Sequence, residues 1–440
     1  MSDEPDKNLT TSPLSGFMEL LPAEQLAFNR IYDTIRRSYE AFGFIPIDTP
    51  VLERAEVLLA KAGGETEKQI YRFRKGDTDL AMRFDLTVPL ARYVAEHCGQ
   101  LVLPFRRYAM GKVYRGERAQ AGRFREFYQC DIDVIGDGEL DLRFDAEIPS
   151  VIHMIFRQLG FERFTIRINN RKIFGGLFRG LGIERQSVGI MQAVDRLEKV
   201  GPEAVRKELA EMGLPEPAIG RLFDFVGLGG TCDEIIAGLR KMGIDDGGLA
   251  EGISELETVV GAIRQFGVPD ANFAVDLTIA RGLDYYTGTV YETRLDDYPE
   301  IGSVCSGGRY DDLASHYTDR KLPGVGISIG LTRLFDQLYR RGVLKTGGST
   351  TTKALILPMT EDMGHCFRLA TRLREAGIAT EVSFVSGKMK KRLGYADRLG
   401  IPFVVFVGDD EIRKGTYTLK DFREGDQEEL TEAELIRKLV

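Results

Sequence analysis

The stretch Gly111–Asp133, GKVYRGERAQAGRFREFYQCDID, is the most informative part of this 440-residue chain. Its flanks, Ala109–Tyr114 and Phe127–Ile135, have the apolar and aromatic composition of β-strands. The stretch therefore predicts a long hairpin whose base belongs to a sheet, with its charged residues near the turn.

The hairpin carries an unusual density of arginine, namely Arg115, Arg118, Arg123 and Arg125. We expect Arg115 and Arg123 to reach one anion from opposite strands, because guanidinium groups bind phosphate and carboxylate in a fork geometry. Phe127 is placed to stack on a flat base. The alternative interpretation is a solvated charged hairpin without a ligand.

Composition limits the possible classes of protein. Apolar residues make up 43% and charged residues 29% of the chain, which is typical of a soluble globular protein of more than one domain. There are 59 Lys and Arg against 67 Asp and Glu, a net charge of −8. This balance excludes a uniformly basic nucleic-acid coat, so a polyanion would have to bind through a local patch.

The five cysteines are widely spaced and never form C-x-x-C, so we predict neither a disulfide framework nor a cysteine zinc site. The N-terminus has no apolar segment of signal-peptide length, and no run approaches 18 consecutive apolar residues. These features predict a cytoplasmic protein that does not enter a membrane.

The chain divides into segments of different character. Residues 1–16 are polar and predict a flexible leader. Residues 17–346 are rich in strand patterns but are interrupted at about 177–266 by a segment whose Leu and Ile recur at helical spacing. After a polar linker, residues 353–440 alternate strands and helices, which predicts a small α/β domain with a largely parallel sheet.

The hairpin resembles the second motif of class II aminoacyl-tRNA synthetases, and specifically of the histidyl-tRNA synthetase family. The family pattern of Arg, acidic residue, loop and closing Phe and Gln is matched by Arg115, Glu117, Phe127 and Gln129. The first motif, a helix and strand with a fixed Pro, matches the stretch ending at Pro50. The third matches GVGISIGLTRLF and its Arg333, while RGLDYYT at Arg281–Thr287 and GGRYD at Gly307–Asp311 resemble the histidine-specific signatures.

The resemblance implies an α/β (α+β) fold with a class II catalytic domain whose antiparallel sheet is flanked by helices. It also implies a helical insertion and a C-terminal α/β anticodon-binding domain. The implied activity is ATP-dependent ligation of L-histidine to tRNA(His) through a histidyl adenylate, with Mg²⁺ held mainly by phosphate oxygens and water, by a cytoplasmic homodimer. No residue is assigned as a dedicated metal ligand.

The resemblance also assigns the ligand-binding residues. Asp133 and Tyr286, with Tyr285 beside them, would read the two imidazole nitrogens, which present one donor and one acceptor. The family more often has Glu at the position of Asp133. Asp85 and Thr87 would hold the α-amino group, although either could instead cap a helix before Pro89. Gln129 and Arg115 would orient the carboxylate.

For the nucleotide, the resemblance places Arg115 and Arg281 at the α-phosphate of ATP. It places Arg123 and Arg333 at the β and γ phosphates, and Glu117 and Phe127 against adenine.

The tip of the hairpin, through Arg118, Gln120 and Arg125, would approach the end of the tRNA, although Ala119 replaces the Pro that is common there. In the last domain, basic and acidic residues are equal in number, so tRNA would bind a local cluster of Lys388, Lys390, Lys391 and Arg392. An ordinary amphipathic helix is the alternative for that cluster.

Two other functions are compatible with parts of the pattern. One is a synthetase-like regulatory subunit of histidine biosynthesis that does not aminoacylate. The other is an ATP-dependent ligase that charges a carrier protein. Both are disfavoured because this chain keeps the arginines and the terminal domain.

Overall fold

The structure, a computed structural model, describes residues 10–60, 64–120, 122–279, 285–311 and 313–440. The described chain forms two compact units. One contains the residues up to Met18 together with Ile31–Arg341, and the other contains Glu19–Arg30 and Gly342–Val440. Over these ranges no helix combines the length and the apolar character needed to cross a bilayer.

The strands of the first unit form a large mixed sheet and a small antiparallel one. In chain order the strands are β1 (Ile45–Pro46), β2 (Leu52–Arg54), β3 (Arg72–Lys75), β4 (Thr78–Met82), β5 (Phe105–Tyr114), β6 (Glu126–Ile135), β7 (Phe164–Asn170), β8 (Phe273–Val275), β9 (Thr289–Leu295), β10 (Ser303–Tyr310) and β11 (Gly324–Gly330). The large sheet has the order β1-β5-β6-β11-β10-β9-β7-β8, and the small one has the order β2-β4-β3.

The larger sheet is antiparallel except at its two edges, where β1 pairs with β5 and β8 pairs with β7 in parallel. The sequence places two prolines near the first edge, and Pro46 lies in β1, where a residue without an N–H is tolerated. The predicted antiparallel sheet flanked by helices is therefore confirmed.

Some helices lie beside the sheets, and the others form a helical segment between β7 and β8. They are α1 (Pro22–Ala41), α2 (Ala55–Leu59), α3 (Gly64–Gln69), α4 (Thr87–His97), α5 (Arg143–Gln158), α6 (Arg171–Leu181), α7 (Ser187–Asp195), α8 (Leu197–Val200), α9 (Pro202–Glu211), α10 (Glu216–Val226), α11 (Cys232–Lys241), α12 (Gly247–Gln265) and α13 (Leu331–Arg340). Helices α6 to α12 separate β7 from β8, and Asn170 begins this segment by accepting a hydrogen bond from the backbone N–H of Lys172.

The order of the strands places residues from distant parts of the sequence side by side at the centre of the sheet. Strands β5 and β6 form the predicted hairpin, and β11 pairs with the other side of β6. Helix α13 begins at Leu331, directly after β11, so Arg333 lies in its first turn. The tyrosine hydroxyl of Tyr39 on α1 donates a hydrogen bond to the carbonyl of Cys130, which ties that helix to the back of β6.

The second unit contains a five-stranded sheet with helices. Its elements are β12 (Ala354–Met359), α14 (Met363–Glu375), β13 (Thr380–Val382), α15 (Met389–Leu399), β14 (Phe403–Gly408), α16 (Asp409–Lys414), β15 (Thr416–Asp421), β16 (Gln427–Thr431) and α17 (Glu432–Leu439). Thr431 and Glu434 form a capping box at the start of α17.

The prediction of a largely parallel sheet in this unit is wrong for half of its pairs. Strand β12 is parallel to β13 and β14, but β14, β15 and β16 pair antiparallel. The physical reason is the length of the connections. Only the short helix α16 separates β14 from β15, and a parallel crossover needs a dozen or more residues.

Candidate active site

One face of β6 carries the floor of the site. Because side chains alternate along a strand, Phe127, Gln129, Asp131 and Asp133 point to the same face, and we call them the β6 row. Their neighbours on that face are mostly small: Ala109 and Gly111 on β5, and Gly326, Ser328 and Gly330 on β11. A polar row between small neighbours leaves a groove above the sheet.

Two glycines are required for the close packing at one end of this groove. A Cβ on Gly326 would lie 2.3 Å from Asp133 Oδ1, and a Cβ on Gly308 would lie 2.9 Å from Cδ1 of Tyr286. Any side chain at Gly326 would therefore occupy the space of the Asp133 carboxylate. Gly308 belongs to the GGRYD sequence, and its lack of a side chain lets the Tyr286 ring approach the sheet.

A buried ion pair lies at this acidic end of the groove. Arg107, which has no exposed surface, faces Asp133 across β5 and β6, with its Nη2 2.5 Å from Asp133 Oδ2. The hydroxyl of Tyr310 donates a hydrogen bond of 2.7 Å to Asp133 Oδ1. Within the described residues, Asp133 Oδ2 lies within ion-pair distance of Arg107 but makes no hydrogen bond.

Asp131 is the second buried carboxylate of the row. Within the described residues, its Oδ1 has no hydrogen-bond partner although the side chain is 2% exposed. Burial raises the pKa of Asp131 to about 7, while nearby Arg107 and a hydrogen bond with Ser328 lower it. Burial also raises the pKa of Asp133 to about 6, and Arg107 again opposes the shift.

Tyr285 and Tyr286 stand over the acidic end. Their rings meet edge to face with centroids 4.9 Å apart, and the ring of Tyr285 lies 5.9 Å from that of Tyr310. Burial raises the pKa of Tyr286, and the charge of Asp133 adds to the shift, so the hydroxyl stays protonated. A hydrogen bond between Tyr285 and Thr87 joins these tyrosines to the start of α4.

The alternative role that the sequence leaves open for Asp85 is realised. Asp85 Oδ1 accepts hydrogen bonds from the backbone N–H groups of Thr87 and Val88, at 3.1 and 2.9 Å, and so caps the first turn of α4. The side chain is 5% exposed, and burial raises its pKa while Val88 and Arg115 lower it. A carboxylate has two oxygens, so capping by Oδ1 does not consume the whole group.

Arg115 lies between two aromatic rings just beyond the end of β5. Its guanidinium carbon is 4.3 Å from the ring centre of Phe84 and 5.0 Å from that of Phe127, and its Nε donates to the carbonyl of Phe84. Burial lowers the pKa of Arg115, and Asp85 opposes the shift. The rings fix the plane of the cation while leaving terminal N–H groups for an anion.

A second group of cations lies toward the turn of the hairpin. Arg123 Nη1 is 3.6 Å from Glu117 Oε2, and Arg333 Nη2 donates to the carbonyl of Ile301 at 2.6 Å. Burial lowers the pKa of Arg333, and the charge of Arg123 lowers it further, so these two cations are close in space. Arg333 Nε is buried and has no partner among the described residues.

The turn of the hairpin packs on α13. A Cβ on Gly122 would lie 3.1 Å from Gln337 Nε2 and 3.8 Å from Arg333 Cγ, and the φ of Gly122 is +73°. This contact explains how Arg123 and Arg333, which are far apart in the sequence, come together. Within the described residues, Gln129 Oε1 is also buried without a partner. Unpaired polar atoms therefore occur both on the floor of the groove and beside it.

The predicted tRNA-contacting residues of the hairpin differ in their surroundings. Arg118 and Gln120 are exposed. Arg125 instead uses its Nε to donate to the carbonyl of Glu117, and its Nη1 to donate to that of Ser15. The backbone N–H of Arg125 also donates to the carbonyl of Gly16, so the end of the predicted leader contacts the hairpin.

The basic cluster of the second unit lies at one end of α15. Lys388, Lys390 and Lys391 are exposed around the first turn of that helix, where the helix dipole adds positive potential. Arg392 is less exposed and donates through Nη2 to the carbonyl of Pro358 at the end of β12. Three of the four residues are therefore presented to solvent.

Two predictions need a separate statement. Arg281, assigned to the α-phosphate and to the histidine pocket, lies outside the described residues. In the part of the chain that the structure describes, no group of three or more His, Cys, Asp or Glu side chains is arranged to hold a metal ion.

The sequence reasoning gave no role to Arg107, Asp131 or Tyr310, although all three line or support the acidic end. The two-residue alternation from Gln129 to Asp133 is the signal that places Asp131 on the floor. Arg107 and Tyr310 could not be found this way, because their contacts with Asp133 depend on strand register.

Comparison with known proteins agrees with this geometry. The family model described as histidyl-tRNA synthetase matches residues 16–334, and an anticodon binding domain model matches residues 353–440. The chain is 55% identical over 427 residues to a histidine–tRNA ligase of Clostridium tetani, with 97% of each chain covered. It is 48% identical to the one of Xanthomonas axonopodis pv. citri, covering 96% of this chain and 94% of the relative.

A solved structure gives the same result. The crystal structure of histidyl-tRNA synthetase from Nostoc sp. PCC 7120 superposes with a TM-score of 0.91 at 41% identity, covering 98% of this chain and 99% of that one. The fold is that of a class II aminoacyl-tRNA synthetase. Within that class, the chain belongs to the histidyl-tRNA synthetase family. The predicted family and fold class are confirmed, and membership of this family implies ATP, histidine and tRNA as the ligands.

Proposed function

We propose that this protein ligates L-histidine to tRNA(His) at the expense of ATP, through a histidyl-adenylate intermediate. One observation carries the proposal: the β6 row leads from an aromatic–arginine end, formed by Phe127 and Arg115, to an acidic end under Tyr286. A groove with this polarity fits an amino acid and a nucleotide placed end to end.

The histidine would lie at the acidic end. Asp85 and Thr87 would accept from the α-ammonium group, while Gln129 and Arg115 would orient the carboxylate. Asp133 and the hydroxyl of Tyr286, with Tyr285 beside them, would read the two ring nitrogens. The sequence resemblance assigns Asp133 to the acidic side of this recognition, and its burial beside Arg107 keeps the charge inside the protein.

The first reaction is attack of a histidine carboxylate oxygen on the α-phosphorus of ATP. The bond from that phosphorus to the bridging oxygen breaks, and pyrophosphate leaves. Arg115 would stabilise the charge that builds on the α-phosphate, in a site where burial strengthens electrostatic interactions. Arg281 keeps the same expected role by resemblance.

The rest of the nucleotide would use the second group of cations. Arg123 and Arg333 would hold the β and γ phosphates, and the unpaired Nε of Arg333 is a donor suited to a phosphate oxygen. Glu117 and Phe127 would face adenine. Mg²⁺ would enter with ATP as part of the substrate, held mainly by phosphate oxygens and water.

In the second reaction, the ribose hydroxyl at the tRNA end attacks the histidyl carbonyl and AMP leaves. Arg118 and Gln120, which are exposed at the hairpin turn, would approach the acceptor end together with Arg125. The unit from Gly342 would bind the anticodon region, with Lys388, Lys390, Lys391 and Arg392 contacting phosphates.

We also propose that the protein is a cytoplasmic homodimer. Ile45 and Leu52, which flank the stretch ending at Pro50, are 52% and 44% exposed, although both are large apolar residues. Exposed apolar side chains of this size fit a contact with a second copy. Light scattering coupled to size exclusion at micromolar concentration tests this state.

Histidine-dependent exchange of pyrophosphate into ATP tests the first reaction, and charging of total tRNA tests the second. We expect both activities in the wild type, and near-complete loss of exchange in Arg281→Ala with the fold intact. Exchange at the wild-type rate in that variant would remove Arg281 from the mechanism. Absence of both activities in the wild type would favour the regulatory-subunit alternative, while charging of a carrier protein instead of tRNA would favour the carrier ligase.

A further inference from the structure

We propose that Asp311 is a positioning residue of the amino-acid pocket, which holds Tyr286 in place through a hydrogen bond from Thr287. This inference rests on the proposed function, in which the hydroxyl of Tyr286 faces the histidine ring. We call Thr287 and Asp311 the clamp. The two residues act on the pocket through the chain and not through contact with the substrate.

Thr287 is tied to the end of β10 by two hydrogen bonds. Its Oγ1 donates to Asp311 Oδ2 at 2.6 Å, and its backbone N–H donates to the carbonyl of Arg309 at 2.8 Å. Because the peptide unit is planar, the bond from the N–H also fixes the carbonyl of Tyr286, the preceding residue. The two bonds therefore hold the backbone immediately after Tyr286.

The chain around Thr287 packs closely on β10. A Cβ on Gly308 would lie 2.9 Å from Cδ1 of Tyr286, and a Cβ on Gly288 would lie 2.9 Å from Cδ of Arg309. These contacts involve the residues on both sides of Thr287, so a small shift of this segment changes the distance between the Tyr286 ring and the sheet. The position of the Tyr286 hydroxyl therefore depends on the bonds of Thr287.

The carboxylate of Asp311 lies beside a cation that is itself fixed. Arg309 Nη1 is 4.0 Å from Asp311 Oδ1. The Nε and Nη2 of Arg309 donate to the carboxylate of Asp145 on α5, which has no exposed surface, and Nη2 also donates to the carbonyl of Leu140 at 3.0 Å. Charge-assisted bonds of this kind hold the guanidinium in one orientation, which restricts the acceptor of the clamp as well.

The same end of β10 contacts both sides of the acidic pocket. Gly308 lies against Tyr286, and Tyr310, two residues further along, donates its hydroxyl to Asp133 at 2.7 Å. Alternation along a strand puts Gly308 and Tyr310 on one face of the sheet. Asp311 follows directly, so one short segment sets the distance between the two groups that would read the ring nitrogens.

The exposure of the clamp separates positioning from stability. The side chain of Asp311 is 30% exposed, so water can replace the hydrogen bond when either partner is removed. The loss of folding free energy should then be small. Removal of the clamp should therefore change the KM for histidine more than it changes the melting temperature.

The test is a double-mutant cycle in histidine-dependent pyrophosphate exchange by the 440-residue chain. Thr287→Val removes the hydroxyl and keeps the branched shape, and Asp311→Ala removes the acceptor. We expect each variant to raise the KM for histidine at least fivefold, with the KM for ATP within twofold of wild type. The double variant should exceed the larger single effect by less than twofold, because the second change removes a bond that is already lost.

Thr287→Ser keeps the hydroxyl and loses only the methyl group. Its KM for histidine should stay within twofold of wild type, a result that a role in packing alone would not give. Thr165 and Asp296 are the matched control pair, because Thr165 Oγ1 donates to the two carboxylate oxygens of Asp296 at 3.0 and 3.1 Å in the same unit. Thr165→Val and Asp296→Ala should leave the KM for histidine within twofold.

Three results would overturn the role of Asp311: a rise below fivefold in both single variants, effects that multiply in the double variant, or an equal rise in the KM for ATP. If Asp311→Ala does not fold, the comparison of Thr287→Val with Thr287→Ser decides by the same fivefold limit. Absence of histidine-dependent exchange in the wild type means that the proposed function fails. Wild-type exchange with an unaltered KM in the clamp variants rejects only the positioning role.

Discussion

Arg107 and Asp133 face each other across the central hairpin, and their side chains, 0% and 4% exposed, meet at 2.5 Å. A buried ion pair of this kind contributes little net stability over an apolar pair of the same size, but it is costly to break. It organises the acidic end of the groove, and its loss has consequences that can be measured.

Asp133→Asn should destabilise the protein strongly because it leaves Arg107 buried without a carboxylate partner. We expect a loss of roughly 3–5 kcal/mol in the free energy of unfolding. The chain has no Trp, so urea unfolding is best followed by circular dichroism. Asp137→Asn is the matched control, because its pair with Arg320 is about half exposed on both sides and should change stability by about 1 kcal/mol or less.

The raised pKa of Asp131 predicts a pH dependence of stability. Burial raises this pKa to about 7, whereas an Asp in the unfolded chain titrates near 4. Between about pH 4 and pH 7 the folded protein therefore keeps a proton that the unfolded chain has lost, and the free energy of unfolding falls as the pH rises. Above about pH 7 the carboxylate is charged in both states, and the full destabilisation from burying that charge is present. Asp131→Asn removes this cost. Its melting temperature should exceed that of wild type at pH 8, and the difference should shrink toward pH 5.

Asp141→Asn is the control for that pH series, because the pKa of Asp141 is shifted down and not up. The pKa of Asp141 is lowered to about 2, chiefly by its hydrogen bond with Arg143, so its contribution is present throughout the pH range 5–8. This variant should melt slightly below wild type by the same amount at each pH. A difference for Asp131→Asn that is constant between pH 5 and pH 8 would contradict the assignment of its pKa.

Arg333→Lys should weaken ATP binding because lysine keeps the charge but loses the planar fork and the unpaired Nε. We expect the KM for ATP in pyrophosphate exchange to rise roughly tenfold, the loss of one charge-assisted hydrogen bond. Arg340→Lys lies on the same helix with a side chain 65% exposed, and should leave this KM unchanged. Equal effects of the two substitutions would argue against a phosphate contact by Arg333.

Combined replacement of Lys388, Lys390 and Lys391 by Ala should raise the KM for tRNA and leave pyrophosphate exchange unaltered. Three lost phosphate contacts should also reduce the slope of log affinity against log salt by about 2. The matched control replaces Arg413, Lys414 and Lys438, which pair with carboxylates of the same unit. If both triple variants change tRNA binding alike, the cluster has no specific part in it.

Gly326→Ala should weaken histidine binding because the new Cβ would lie 2.3 Å from both Asp133 Oδ1 and the carbonyl oxygen of Ile132. We expect a raised KM for histidine and a lower melting temperature. Gly261→Ala is the contrasting change, because that glycine lies inside α12 with nothing within 4 Å of its added Cβ, and should stabilise by about 0.5–1 kcal/mol. Full histidine affinity in Gly326→Ala would show that the floor can adjust.

Sequence patterns predicted the central hairpin well because its strands alternate and its turn is strongly polar. The predicted strands at Ala109–Tyr114 and Phe127–Ile135 correspond to β5 and β6. Strand β10, Ser303–Tyr310, was not expected, because a run of Ser and Gly is typical of a loop. One of its glycines, Gly308, lies against the Tyr286 ring, a contact that no local pattern reveals.

The sequence by itself determined the family, the order of the motifs and the alternation that puts Gln129, Asp131 and Asp133 on one face. Only the tertiary structure decided which groups surround Asp133. Arg107, Tyr310 and Gly326 reach this carboxylate from three different strands. Local sequence sets the direction of each side chain, but hydrogen-bond partners are chosen by strand register, and register joins residues nearly 200 positions apart.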